Sequence, residues 1–277
     1  MRPGNMQEKP PRKSLILRLL KTAVPAGLLM KFRAAYLTRE VLQGKARREH
    51  AMSALSSLVK PGDSVADLGA NLGMYALEFS ELAGPSGKVY SVEPIASNFQ
   101  ILEAVVRKRG LANVQIYRAA IGSQAGRQEM IIPNRNGFTG FYAAHFNRGS
   151  EEGSIETVDV FALDDLWKQN EIQNLDFIKT DVAGAELDVI AGAKSLIGTL
   201  CPGLLMGVSR RTGDKTFNTL KNFGYRAFLY RERLVETSNY FAANPYHYFF
   251  LHPESKCWER ARSSGLLDVL SRSAHAG

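Results

Sequence analysis

The sequence predicts a doubly wound α/β fold: a mostly parallel, Rossmann-like sheet with helices on both faces, preceded by an N-terminal helical extension. Three observations predict it. Apolar runs of strand length alternate with helical patterns along most of the chain, as a parallel sheet requires, because each crossover between parallel strands is made by a helix. The run V-A-D-L-G-A-N-L-G at 65–73 passes from a strand pattern through a glycine turn into a helix. The next apolar run, Val89 to Val92, ends in Glu93, twenty residues beyond Gly73.

Taken in order, the elements begin with the extension. Met1 to Arg12 reads as a disordered tail. Ser14 to Val24 reads as an amphipathic helix, with Leu15, Ile16, Leu19, Leu20 and Ala23 on one side and Arg18 and Lys21 on the other. Pro25 ends or kinks it. The basic residues interrupt the apolar run, so it is too short to span a membrane and a poor secretory signal. Two readings fit the segment: a helix packed on the following domain as a lid or homodimer contact, or a basic amphipathic helix resting on an anionic membrane through residues 14–31. A helical stretch carrying Val41, Leu42, Met52, Leu55 and Leu58 then leads to Lys60-Pro61-Gly62-Asp63, where Pro-Gly suits a type II turn. The expected division is an extension over 1–58, a domain over 59–252 and a tail over 253–277.

Within the domain, a strand ends at Asp67, a helix covers Met74 to Leu82, and a second strand ends at Glu93. A helix to about Arg109 and a strand Val114–Tyr117 follow. Two short strand-like runs, Gln128–Ile132 and Ile155–Phe161, break the rhythm around a Gly/Asn-rich stretch expected to be a mobile loop. Alternation resumes with Asp176–Thr180, a helix over Ala185–Thr199, a strand Leu204–Val208 and a helix ending near Gly224. Tyr225–Tyr230 and Tyr246–Leu251 close the domain as aromatic-rich strands whose alternation is that of sheet packing.

Composition narrows the function. Residues 1–50 carry twelve Lys/Arg against three Asp/Glu, and the rest of the chain carries 23 against 24. The net charge of +8 therefore belongs to the extension, and the body has no nucleic-acid-binding charge. Two cysteines, Cys201 and Cys257, make no disulfide framework and favour a reducing, cytoplasmic compartment, with the membrane periphery as its variant. No Cys/His cluster has zinc spacing, so no metal is expected.

The glycine turn and the two acids carry the chemistry. Glycine permits the tight strand-to-helix turn and a close approach to the backbone. An acid about 20 residues after such a turn binds ribose hydroxyls in doubly wound folds. The dinucleotide fingerprint needs a third glycine, which is absent, and Asp67 would repel a pyrophosphate. A carboxylate there suits an ammonium or sulfonium, and S-adenosylmethionine offers both with no phosphate. It is the expected cofactor; a nicotinamide dinucleotide oxidoreductase is the weaker alternative.

The chain resembles the FkbM-type S-adenosylmethionine-dependent methyltransferases, a branch of the class I methyltransferases, over roughly residues 60–252. The resemblance rests on V-A-D-L-G-A-N-L-G at 65–73, V-E-P at 92–94, A-A-I-G at 119–122, A-L-D-D-L at 162–166 and, most specifically, F-I-K-T-D-V-A-G-A-E-L at 177–187. It implies a seven-stranded sheet whose last strand is antiparallel, and O-methylation of a small-molecule, natural-product or glycan hydroxyl. It also implies that Asp67, Gly69, Asn71, Gly73, Glu93 and Ala120 line the cofactor, with Asp181 facing the transferred methyl. Two departures stand out. Ala183 replaces the usual acid of the signature, and Gly207 stands where an acid usually ends the fifth strand. A cofactor-binding protein without catalysis is therefore a second reading.

Removing the acceptor's proton needs a base. Asp181 is the first candidate; His145, in the loop region expected over the substrate, and His247, in the final aromatic strand, are the others, because histidine titrates near neutrality. Lys179, inside a strand, is expected to be the buried partner of an acid. Glu186 is expected to be mainly structural, and Asp164-Asp165 to cap the helix that follows them.

Overall fold

A computed structural model describes residues 26–44, 49–135, 138–139, 145–146, 153–182, 184–240 and 247–267. The expected amphipathic helix over Ser14–Val24, most of the 14–31 segment, and Ala183 lie outside the described residues. The chain enters through helix α1 (Ala26–Leu42), a 3-10 turn over His50–Ala54 and helix α2 (Leu55–Leu58). Strand β1 (Ser64–Leu68), helix α3 (Met74–Ala83), strand β2 (Lys88–Val92), helix α4 (Ala96–Arg109) and strand β3 (Val114–Tyr117) follow. A second sheet is then inserted: β4 (Ala120–Ile121), β5 (Gly126–Arg135), β6 (Phe138–Thr139), β7 (His145–Phe146) and β8 (Gly153–Phe161). The winding resumes with α5 (Leu163–Lys168), β9 (Phe177–Thr180), α6 (Glu186–Gly192), α7 (Lys194–Leu200), β10 (Gly203–Gly207) and α8 (Gly213–Asn222). It closes with β11 (Arg226–Arg231), β12 (Arg233–Thr237), β13 (His247–Leu251) and α9 (Lys256–Ser263).

The main sheet has eight strands in the order β12-β11-β13-β10-β9-β1-β2-β3. The five from β10 to β3 are parallel, and β13 lies antiparallel between β10 and β11. The reversal of order between β1 and β9 is the switch point at which doubly wound sheets bind ligands. The seven expected strands are present, and an eighth, β12, extends the edge. It turns back from β11 through Glu232, which has a positive φ of 63°, and of its residues only Leu234 is buried. An edge strand with one buried side chain leaves little apolar periodicity to read.

Alternation along the strands sorts side chains into two layers. Ala66, Leu68, Tyr90, Val92, Ile178 and Met206 face α6, α7 and α8 through Val189, Ile190, Leu196, Ile197, Phe217 and Leu220. Val65, Val89, Phe177, Leu205 and Phe249 face α3, α2 and α9 through Tyr75, Phe79, Leu55, Leu58, Cys257 and Ala261. Both faces are covered, which is why the central strands are buried along nearly their whole length rather than on alternate residues.

Two expectations about elements are corrected. The single helix expected over Ala185–Thr199 is two helices broken at Ala193. A methyl on Gly192 would sit 2.0 Å from the Gly122 carbonyl oxygen, so α6 runs directly against the backbone after β4. The break exposes a new helix start, and Asp164 caps it by accepting from the backbone N–H groups of Ser195 (2.8 Å) and Leu196 (2.9 Å). Asp164 thus caps α7, not the helix it sits in.

Core packing runs across positions 58 and 252. Residues Ala51, Met52, Ala54, Leu55 and Leu58 are buried in the core. Beyond 252, α9 seats Cys257 and Ala261 against the sheet, and Arg260 grips Asp63 at 2.5 and 2.9 Å. Leu266 and Leu267 are buried as well. α1 packs through Val41 and Leu37 on Ile101 and Val105 of α4 and on Leu72 of the glycine turn. No helix among the described residues is long and apolar enough to cross a membrane.

The inserted sheet has the order β4-β8-β5-β6, with β7 paired to β5. Its apolar side, Met130, Ile132, Val158 and Val160, closes on Ile95. Glu156 of β8 accepts from the Ala96 N–H at 3.0 Å and from Arg118 at 2.8 Å. The insertion is thereby fixed to the carboxyl end of β2, next to Glu93. Of the stretch expected to be a mobile loop, 134–135 and 138–139 pair as the ends of β5 and β6, and the rest lies outside the described residues.

Candidate cofactor and acceptor site

The glycine turn is built by close backbone contacts. Gly69 has φ +73°, and a methyl on it would lie 2.3 Å from the Asp181 carbonyl oxygen. Gly73 has φ +92°, and its methyl would lie 2.9 Å from Leu102 Cδ1. Both glycines therefore let protein approach protein: Gly69 brings β1 and β9 together at their carboxyl ends, and Gly73 seats α3 against α4. Asn71 between them adopts a positive φ of 52°, a conformation asparagine tolerates better than most residues.

That turn delivers the Asn71 N–H to Glu93 Oε2 at 2.9 Å, while Glu93 Oε1 accepts from Ile95 N–H (3.0 Å) and Asn98 Nδ2 (3.2 Å). Glu93 is 4% exposed. Burial pushes its pKa up to about 7, against the opposing pull of those three donors. A carboxylate offers about four acceptor positions, so three N–H donors leave room for a ligand hydroxyl.

Beneath the turn, Asp67 and Lys179 stand side by side on adjacent strands. Lys179 Nζ lies 3.1 Å from Asp67 Oδ1, donates to the Gly69 carbonyl at 2.8 Å, and sits 4.9 Å over the Tyr75 ring. Lys179 is thus the buried partner of an acid, as its place in the strand led one to expect. Burial works against its ammonium, but the carboxylates of Asp67, Asp181 and Glu49 outweigh it and hold the pKa above the ordinary value. Asp67 is fully buried, so its charge meets Lys179 first and does not simply face the space beyond the turn.

The mouth of the sheet gathers residues far apart in sequence. Asp181 follows β9, and His247 opens β13 opposite Gly207, the last residue of β10. Glu49, on the approach to the first 3-10 turn, reaches the same place. Glu49 Oε2 accepts from the Tyr75 hydroxyl at 2.6 Å and lies 3.4 Å from His247 Nδ1. Carboxylate oxygens of Glu49 and Asp181 and a ring nitrogen of His247 all fall within 4.8 Å of one another. Glu49 was not legible as a site residue, because it lies in a basic segment with no motif around it. A second trio with metal-ligand proximity, Cys201, His252 and Glu254, sits at the opposite, amino-terminal end of β10.

The other expected residues separate. Ala120 packs in the apolar cluster with Ile95, Met130 and Val160. His145 lies in β7, paired with Ile131 of the inserted sheet, and its side chain is outside the described residues. Glu186 is structural: it accepts from the N–H of Gly184 and Ser209 and from the hydroxyls of Ser209 and Thr212, at 2.6 to 3.3 Å. It ties the signature loop to the loop after β10.

These residues fit an adenosyl sulfonium ligand. Asp67 Oδ2, Asn71 Oδ1, Ser91 Oγ and Thr180 Oγ1 are buried and make no hydrogen bond among the described residues. The acids Asp67, Asp181 and Glu49 outnumber the one ammonium they act on, that of Lys179, and burial holds the pKa of Asp67 above its ordinary value. An ammonium and a sulfonium are welcome there, and a pyrophosphate is not.

Comparison with known proteins agrees. The chain is 28% identical over 187 residues to the 31-O-demethyl-FK506 methyltransferase FkbM of Streptomyces tacrolimicus, covering 58% of this chain and 69% of that one. It is 30% identical over 159 residues to the 2-O-methyltransferase NoeI of Sinorhizobium fredii, covering 52% and 62%. Among solved structures it is similar to the methyltransferase FkbM of Methylobacillus flagellatus, at 15% identity and a TM-score of 0.45, over 79% of this chain and 59% of that one. The profile of the methyltransferase FkbM domain matches residues 67–227, a span running from Asp67 through the turn, Glu93 and the Asp181 signature into β11. The chain belongs to the FkbM family of methyltransferases, and its cofactor is S-adenosylmethionine.

Proposed function

We propose that the protein O-methylates a hydroxyl of a small molecule, natural product or glycan. One observation carries this reading: a carboxylate, Asp181, and an imidazole, His247, brought within 4.8 Å at the carboxyl end of the sheet, beside the glycine turn. Two relatives named for O-methylation support the oxygen as the atom modified.

In this reading Glu93 takes a ribose hydroxyl and Asn71 holds the turn that shapes the pocket. Asp67, with Lys179 behind it, sets the negative field that the cofactor's cations meet. When bound, S-adenosylmethionine supplies an electrophilic methyl that the acceptor oxygen displaces in line from sulfur, the sulfur keeping the bonding electron pair. The chain's own task is alignment and proton removal. Alignment supplies several kcal/mol when the reacting atoms are held about 3–3.5 Å apart, and a positioned base contributes roughly 10²–10⁴-fold. Asp181 and His247 are the groups that orient the hydroxyl and take its proton.

The test combines calorimetry with S-adenosylhomocysteine and turnover of methyl-labelled cofactor on a panel of hydroxylated acceptors. Binding, with label transferred to oxygen and a fall of about 10²-fold or more in Asp181→Asn or His247→Asn, is expected. Label on nitrogen overturns the oxygen assignment. Tight binding with no transfer across the panel favours the non-catalytic reading that Ala183 and Gly207 raise.

A further inference from the structure

Two features single out Glu49. It is the one described carboxylate of the mouth that comes from outside the family signatures, arriving from the segment ahead of the domain. It also touches two elements at once, Tyr75 in the first turn of α3 and His247 at the start of β13. We propose that Glu49 and His247 form a carboxylate–imidazole pair in which His247 is the base for the acceptor hydroxyl and Glu49 positions it. The inference rests on the methyl-transfer reading above and names the base within it.

The geometry runs in one direction. Burial pushes the Tyr75 phenol far above its ordinary pKa, and the negative charge of Glu49 adds to it, so Tyr75 is a permanent donor. Its 2.6 Å bond to Oε2 fixes the Glu49 carboxylate. An ionised carboxylate only accepts, so the His247 nitrogen facing it, Nδ1 at 3.4 Å, must carry the hydrogen. In a neutral imidazole with Nδ1–H, the basic atom is Nε2.

The balance of the step is complete. As the acceptor oxygen bonds to the methyl carbon, the carbon–sulfur pair stays on sulfur and the hydroxyl proton passes to Nε2. One positive charge leaves the sulfonium and one appears on the imidazolium, whose ring nitrogen lies within 4.8 Å of the carboxylate oxygens of Glu49 and Asp181. Lys179, the nearby cation, is already engaged by Asp67 and the Gly69 carbonyl. Register supplies the position: His247 sits opposite Gly207, at the carboxyl end of β10.

The pair is tested by the tautomer of His247, read by nitrogen-15 NMR in histidine-labelled full-length protein, with the signal assigned by its loss in His247→Gln. Neutral His247 is expected as Nδ1–H in the native chain. Glu49→Leu is expected to shift it toward Nε2–H and to lower turnover roughly tenfold or more. Tyr75→Phe, which frees Glu49 without removing it, should give a smaller shift in the same direction. An Nε2–H tautomer in the native protein overturns the proposal, as does an unchanged spectrum in folded Glu49→Leu. Should that variant not fold, the native tautomer and Tyr75→Phe decide. Calorimetry on the same samples keeps the two readings apart: a native protein that does not bind S-adenosylhomocysteine overturns methyl transfer, whereas binding with an Nε2–H His247 overturns the pair alone.

Discussion

The cofactor side and the acceptor side of the site are built in opposite ways. The cofactor side is nearly contiguous: Asp67, Gly69, Asn71, Gly73 and Glu93 lie within 27 residues, on one β–α–β unit. Its geometry follows from local chemistry, namely two positive-φ glycines, an asparagine that tolerates the same region, and an acid at a strand end. The acceptor side draws Glu49, Tyr75, Asp181 and His247 from four separate places, and only sheet order brings them together. Local construction tolerates sequence change elsewhere, whereas assembled construction depends on every element that positions it.

Lys179 is where the two sides meet, so its loss should be the largest single effect. Lys179→Met leaves Asp67 buried beside Asp181 and Glu49 with no counter-charge. Removing one member of a buried pair costs about 3–5 kcal/mol, and a domain of this size should then melt roughly 10 °C lower. S-adenosylhomocysteine affinity and turnover should both fall. A variant that melts normally would show that Asp67 is held neutral, and would break the link between the sides.

Gly69→Ala should come next, and it probes whether the local side is independent. Its methyl meets the Asp181 backbone, 2.3 Å away, and its φ of +73° is unfavourable for alanine. The combined penalty is about 2–4 kcal/mol. The apo protein should lose stability before any ligand is added, measured by thermal melting. A normal melt with lost cofactor affinity would place the ligand, rather than Asp181, against this glycine.

Glu93 gives an intermediate effect through pH. Its folded pKa is raised to about 7 above an ordinary carboxylate near 4.3. Between those values the folded protein holds a proton that the unfolded chain has released, so this group's contribution to stability is full at low pH and is lost as pH rises toward 7. Ligand binding runs the other way, because the ionised carboxylate is the better acceptor for a ribose hydroxyl. Affinity for S-adenosylhomocysteine should increase by roughly tenfold from pH 6 to pH 8, as the ionised fraction grows. Glu93→Gln should flatten that rise. A pH-independent affinity in the native protein would remove Glu93 from the ribose.

The smallest effect tests a support shared by neither side. Asp164→Ala removes the cap of α7 and should lower stability by about 1–2 kcal/mol, with cofactor affinity and turnover unchanged at temperatures below the melt. A loss of turnover in the folded variant would mean that the acceptor side is coupled to this distant layer.

The sequence by itself determined the doubly wound sheet, the glycine turn, Glu93 at the end of β2 and the pairing of Lys179 with an acid, because each depends on residues whose periodicity or turn chemistry acts over a few neighbours. It did not determine the weak edge strand β12, with one buried side chain to signal it. It did not determine the break at Ala193 either, which comes from the backbone at Gly122 pressing on Gly192 and from a cap supplied 31 residues away. Asp67 and the glycines were visible as residues, but their partners, Lys179, the Asp181 carbonyl and Leu102, depend on which strands and helices become neighbours. The same is true of Glu49 and His247. A charged residue in a basic segment and a histidine in an aromatic strand carry no sign of each other, and the sheet order that sets β13 beside β10, with the packing of the entering chain on α3, is a property of the whole fold.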